Sequence, residues 1–376
     1  MNRFFTIGGV AMTLLLTCCT HSQNEISRIG DSELIVIDEK ASMPHHDIPL
    51  SSIAEDIRTI QLENSDEALV KYWKSAISPN YIVIMQGASM PAKLFSISGK
   101  YLGTMGQVGK GPGEYSLIYE CAIDEDHNAI YLTSWFGNVL QYDLDGNFVK
   151  EVDLGCGGKP TLGITPYGGV SAVSLCWGDQ EENQVAASIS AEGKKQSADY
   201  LPLHTSLKDA EGMGVGFNNE IFAFRNVDRH IFMHTSTDTL YIYSADSNTI
   251  SPRCVISRAN PQPEEWVIGT ELPTGIMMSV VGPDTRNYWV DKASGEIIKG
   301  SVINDFLANN VLGQNHFRDG YYIQCFEPGD LVDRIEEKWL NEPSLTDDQK
   351  KRLTDLKESL DPESNNIILL APLKRQ

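Results

Sequence analysis

A segment that recurs every 47 residues constrains this chain more than any other feature. Lys93-Leu94-Phe95-Ser96-Ile97-Ser98-Gly99-Lys100 matches Leu140-Gln141-Tyr142-Asp143-Leu144-Asp145-Gly146-Asn147, and Ala187-Ser188-Ile189-Ser190-Ala191-Glu192-Gly193-Lys194 follows at the same interval. A fourth copy, at 240–248, lacks the glycine, and a fifth, at 288–298, restores it as Gly295. Each copy is an alternating apolar run, a polar-Gly pair and a second alternating run. Asp-Gly and Ser-Gly favour the positive φ angles of tight hairpin turns, so Gly99, Gly146, Gly193 and Gly295 are read as structural turn glycines. Further strand-like runs lie upstream of each turn, at 81–85, 129–132 and 169–175. Four strands per repeat of this length is the content of a propeller blade, which must pack against neighbours to bury both of its faces.

Five copies and an irregular sixth at 321–326 predict an all-β, six-bladed β-propeller over residues 33–376. Strand candidates at 33–38, 57–62 and 366–373 are expected to share one blade, because pairing the two chain ends closes the ring and removes a sheet edge. A short C-terminal helical insertion, about 330–361, interrupts the pattern. There Thr346-Asp347-Asp348-Gln349 has the form of a capping box, and Leu353, Leu356 and Leu360 follow at helical spacing.

The first residues read as an address. Arg3 precedes thirteen mostly apolar residues, too short a run to span a bilayer, and Leu16-Thr17-Cys18-Cys19 then resembles a bacterial lipobox. Residues 1–18 are expected to be a lipoprotein signal peptide, Cys19 the lipidated residue and 19–32 a linker. Cys18 is the alternative acceptor. The expected location is the cell envelope, anchored by lipid at the outer membrane, with either face possible.

Thirty Lys+Arg against 51 Asp+Glu give a net charge of −21, and loss of Arg3 with the signal takes it to −22. That balance excludes a general nucleic-acid binder, which needs a basic footprint, and leaves the lipid anchor as the only expected membrane contact. Beyond Cys19 stand Cys121, Cys156, Cys176, Cys254 and Cys325. Their spacing fits no zinc site or dense disulfide framework; Cys156 with Cys176 is the pair that oxidation would favour.

The run from Gly103 to Tyr115, with Gly109-Lys110-Gly111-Pro112-Gly113-Glu114-Tyr115 its most specific part, is followed by Ile123-Asp124 and the Tyr142-Asp143-Leu144-Asp145-Gly146 turn. Together with 57–63 and 236–241, these residues resemble the Bacteroidetes six-bladed β-propeller lipoproteins, which are similar to NHL-repeat propellers. The resemblance runs from about 57 to 374 and implies the fold. It leaves the activity open.

Local motifs argue against several chemistries. The Gly-rich run is no phosphate loop, since Gly111 stands where Ser or Thr is needed and no helix follows. Asp143-x-Asp145-Gly146-Asn147 lacks the distal glutamate of a calcium loop, and Asp124-Glu125-Asp126-His127 reads as a solvated acidic turn. His45 and His46 have no partner at metal-ligand spacing.

Trp135 and Phe136 lie between two predicted strands, and Trp177 occupies the analogous place one blade later. They are the candidate ligand-binding aromatics, suited to a neutral glycan or peptide. The function expected is a noncatalytic binding or scaffold propeller, monomeric and without a cofactor. The alternatives are a metal-dependent hydrolase or lyase with a divalent cation in the central channel, and a structural subunit of an envelope complex.

Overall fold

The computed structural model describes residues 30, 33–87, 90–134, 138–155, 158–177, 184–205 and 220–375. Strands dominate, and they follow one another as antiparallel meanders. The first sheet runs Lys74–Ile77, Tyr81–Met85, Ala92–Ser96 and Tyr101–Met105. The second runs Ile118–Asp124, Ala129–Ser134, Asn138–Tyr142 and Phe148–Asp153. Gly158–Ile164, Gly169–Trp177, Ala186–Ser190 and Lys195–Ala198 form the third, with His204–Thr205 added in parallel to Cys176 and Trp177. The fourth holds Ile221–Phe222, His230–His234, Thr239–Ser244 and Thr249–Ser257, and the fifth Trp266–Glu271, Gly275–Val281, Arg286–Asp291 and Ile297–Lys299.

The turns explain the repeat. Gly99, Gly146, Gly193 and Gly295 join the third and fourth strands of the first, second, third and fifth sheets, with φ between 75° and 87°. In the fourth sheet, where glycine is missing, Asn248 takes the left-handed conformation at φ 52°. Asparagine tolerates that region better than most residues, so the turn survives the substitution.

Two further sheets of three or more strands follow. A three-stranded one pairs Val302–Ile303 with Val311–Leu312 and, in parallel, with Ile48–Pro49. The last contains Phe317–Arg318, Tyr321–Phe326, Ile367–Pro372 and, from the other end of the chain, Arg58–Gln61. The described residues thus form seven sheets of three or more strands, where the sequence predicted six blades. The additional sheet escaped because its strands are two residues long and carry no alternation.

The N-terminal strands also part company. Arg58–Gln61 joins Ile367–Pro372 in the last sheet, but Ile35–Asp38 pairs in parallel with Cys254 to Ser257 of the fourth. Between them residues 39–57 cross the fifth and sixth sheets: Lys299 N donates to Pro44 O at 2.9 Å and Ile48 N to Ser301 O at 2.9 Å. Residues 35–63 are a strap over the outer edges of four consecutive sheets.

Apolar side chains bury in separate clusters between neighbouring sheets. Leu94, Met105, Leu132 and Tyr142 pack between the first and second, Tyr131, Val139, Leu162 and Ala172 between the second and third, and Ile60, Ile82, Phe95 and Ile368 between the last and the first. This distribution is what a closed ring of sheets requires. The C-terminal insertion holds the helices Pro328–Glu337 and Asp347–Glu358, packed through Leu331, Ile335 and Leu353 onto the last sheet's flank, and a single turn, Leu50–Ile53, lies in the strap. Thr346 and Gln349 form the reciprocal cap at the start of the second helix.

Candidate functional site

Glu120 sits in the second sheet's first strand and is buried. Arg318 of the last sheet donates to its Oε1 at 2.7 Å, Arg225, three residues beyond the fourth sheet's first strand, lies 3.5 Å from the same oxygen, and Lys74 of the first sheet is 4.0 Å from Oε2. A carboxylate reached from the first, fourth and last sheets must lie where the sheets converge, at the ring's axis. Arg225 in turn grips Asp319 through Nε at 2.7 Å and Nη2 at 3.3 Å. Nearby, Glu220 accepts from Tyr119 Oη at 2.5 Å and pairs with Lys159. Arg225 and Lys159 hold φ angles of 51° and 53°, left-handed values that cost bulky residues energy and that gather at functional sites.

Electrostatics follow from this crowding. Burial alone would raise the Glu120 carboxyl, but Arg318, Lys74 and Arg225 outweigh it and hold it at about 2. Burial lowers the Lys74 ammonium, with Glu120 only partly opposing. For Arg225 burial works in the same direction, yet Asp319 and Glu120 raise it. His230 lies between Thr161 and Ser171, at 3.0 and 2.9 Å, and burial followed by Arg225 takes it down to about 3, so its ring is neutral.

A cavity of about 400 Å³ opens beside Glu120. Aromatic and charged side chains share its walls. Lys74 Nζ stands 4.7 Å from the Trp73 ring centroid and 4.5 Å from that of Tyr119, the Arg318 guanidinium faces Phe224 at 5.9 Å, and Phe222 stacks on Phe224 with centroids 6.2 Å apart. The helix Pro328–Glu337 contributes Arg334, which covers the Phe326 ring at 5.4 Å. Cys325 also lines the cavity, but burial pushes its thiol up to about 12, out of the range of a reactive thiolate. Burial likewise lowers His316, whose Nδ1 accepts from Gly313 N at 2.9 Å.

The residues singled out from sequence lie elsewhere. Cys19, Trp135, Phe136 and Cys156 fall outside the described residues. Trp177 ends the strand Gly169–Trp177, its backbone paired with Thr205. Cys121, Cys254 and Cys325 are free thiols, and the pairing of Cys176 with Cys156 falls outside the described residues. The turn at 124–127 is less solvated than expected: Asp124 is buried and bonds His127 Nδ1 at 2.9 Å, while Glu125 caps Asn80. The Gly-rich run forms a small ribbon, Gln107–Val108 against Glu114–Tyr115. The Glu114 carboxylate accepts from the N–H groups of Lys110 and Gly111 at 2.9 and 2.8 Å, so the chain's own anion occupies that turn.

Among the described residues one group could hold a metal ion. His204 Nε2 lies 2.5 Å from Asp199 Oδ1 and 3.6 Å from Cys176 Sγ, away from the residues lining the cavity. No helix among the described residues is long and apolar enough to cross a membrane.

Ring, meanders and axial cluster define a β-propeller. The chain belongs to the family described as "Domain of unknown function (DUF4934)", whose model matches residues 34–372. No curated protein matches it. Among solved structures, a Bacteroides fragilis protein described as exported shares 17% identity at a TM-score of 0.63, covering 91% of this chain and 100% of its own. A DUF4221 member from Bacteroides vulgatus matches with 12% identity and a TM-score of 0.46, covering 86% of this chain and 98% of its own. A streptogramin B lyase matches with 11% identity and a TM-score of 0.39 over 65% of this chain and 73% of its own. The first of these likenesses supports the fold.

Proposed function

We propose that this protein is an exported, lipid-anchored and noncatalytic binding propeller whose ligand enters the aromatic cavity beside Glu120. One observation carries the reading: a cavity of about 400 Å³ at the ring's axis is walled by aromatic faces and charged groups drawn from several sheets. That volume lies in the range of small-molecule sites, and convergence of a few polar groups on an apolar pocket is their usual form. A binding role is favoured over catalysis because burial pushes the Cys325 thiol, the candidate nucleophile there, up to about 12, and the Nδ1 of His316 is already taken by Gly313 N. Trp135, Phe136 and Trp177 stay proposed as a second aromatic surface, for a glycan or peptide. The anchor at Cys19 and the envelope location belong to the same proposal.

The test is calorimetric titration with phenylacetate, indole-3-acetate, naphthalene-2-acetate and the three corresponding amides. At least one member should bind saturably. Trp73, 39% exposed, can be replaced by alanine at small cost to the fold, and Trp73→Ala should weaken that binding about tenfold with an unchanged Tm. Absence of saturable binding across the panel, or equal binding by the variant, overturns the cavity as the site.

A further inference from the structure

The carboxylates in the cavity wall are already engaged, whereas N–H donors of its cations are left over. Glu120 Oε1 accepts from Arg318 Nη1 at 2.7 Å and Cys121 N at 3.1 Å, and its Oε2 faces Lys74. Both Glu220 oxygens are engaged, one by Lys159 and one by the Tyr119 hydroxyl. On the donor side, the Lys74 ammonium carries three N–H bonds and gives one to the Tyr119 carbonyl, at 3.1 Å. The Arg318 guanidinium carries five and gives one to Glu120.

Charge tells the same story. Among the charged residues lining the cavity, Lys74, Arg318 and Arg334 stand against Glu120 and Glu220, so the wall has one more cation than anion. This local surplus stands inside a chain of net charge −21. The long-range field repels a highly charged anion, while the wall is short of a single negative charge.

We infer that the cavity takes a small monoanionic organic acid, its carboxylate received by Lys74 and Arg318 and its apolar body resting on Trp73, Phe222 and Phe224. The inference rests on the cavity being the binding site. Charged hydrogen bonds to a carboxylate in a desolvated pocket are roughly twice as strong as neutral ones, so the acid is distinguished from an uncharged analogue of equal shape.

The matched acids and amides separate this inference from the broader one. Each acid that binds should do so about tenfold or more tightly than its amide, equivalent to about 1.4 kcal/mol. Lys74→Met should remove that preference and Lys74→Arg should keep it. Arg318→Gln is unsuited as the sole variant, since it deprives buried Glu120 of its nearest partner. Lys74, whose side chain is 27% exposed, carries the test. Amides binding as well as acids, with both weakened by Trp73→Ala, would overturn the anion assignment and leave the cavity standing as the site. Acid preference that survives Lys74→Met also overturns it. Failure of every acid and amide to bind at millimolar concentration overturns both readings.

Discussion

Glu120→Gln preserves the shape of the axial carboxylate and removes the charge that balances Arg318, Arg225 and Lys74. Leaving buried partners uncompensated costs about 3–5 kcal/mol near neutral pH. The pH dependence is more specific. The Glu120 carboxyl is held at about 2, against an ordinary value of 4.5, because its three cations outweigh the effect of burial. A folded-state value below the unfolded one means stability that is complete above 4.5 and fades as pH falls toward 2. At about 1.4 kcal/mol per unit the full contribution is roughly 3 kcal/mol, of which about 2 kcal/mol is gone by pH 3. Urea unfolding of wild type and Glu120→Gln across this range should therefore show the gap in stability narrowing by about 2 kcal/mol on going from pH 6 to pH 3. A gap that stays constant would refute the reasoning, since it would mean that Glu120 gains nothing from ionisation in the folded protein.

Two turn glycines should respond unequally to alanine. At Gly146, φ is 84° and a methyl group meets open space, so the cost is the left-handed conformation alone, about 1–2 kcal/mol. At Gly99 a Cβ would stand 2.1 Å from the Gln61 carbonyl oxygen, and Gly99→Ala should lower the denaturation midpoint clearly further than Gly146→Ala; equal losses would contradict the packing of the strap there. Cys19→Ala should release the protein from the membrane fraction and abolish fatty-acid labelling, whereas labelling lost only with Cys18→Ala would move the acceptor by one residue.

How far the sequence foretold this molecule depends on what each residue is asked to show. Hairpin turns were legible because Asp145-Gly146 and Ser98-Gly99 specify a local backbone conformation. Strand Ile35–Asp38 was legible as a strand, but its partner at Cys254 to Ser257 was not, since pairing across most of the chain leaves no local trace. The three-stranded sheet was missed because Val302–Ile303 and Val311–Leu312 are too short for a period. Attention to loop aromatics missed the axial site. A usable signal was present: Glu120 interrupts the apolar strand Ile118–Asp124, and Lys74 and Arg318 likewise stand in the first strands of their sheets. A charge within such a strand is costly unless other charges meet it, and the identity of those partners requires the ring to be closed.

The strap carries an implication for how the chain reaches its final form. Among the described residues, strands from Lys74 to Thr205 pair only with strands of the same stretch and can assemble without the rest of the chain. Residues 35–61, which precede them, find their backbone partners between Cys254 and Leu373. An early stretch of the nascent chain therefore waits, unpaired, for a later one. Arg253, which donates to the carbonyl oxygens of Gly30 and Glu33, is an early catch for it, and Ile367–Pro372 is the last. A product that terminates before Ile367 is then no smaller propeller: it leaves Arg58–Gln61 without a partner and Tyr321–Phe326 as a bare edge, a form open to proteolysis and to association with other chains.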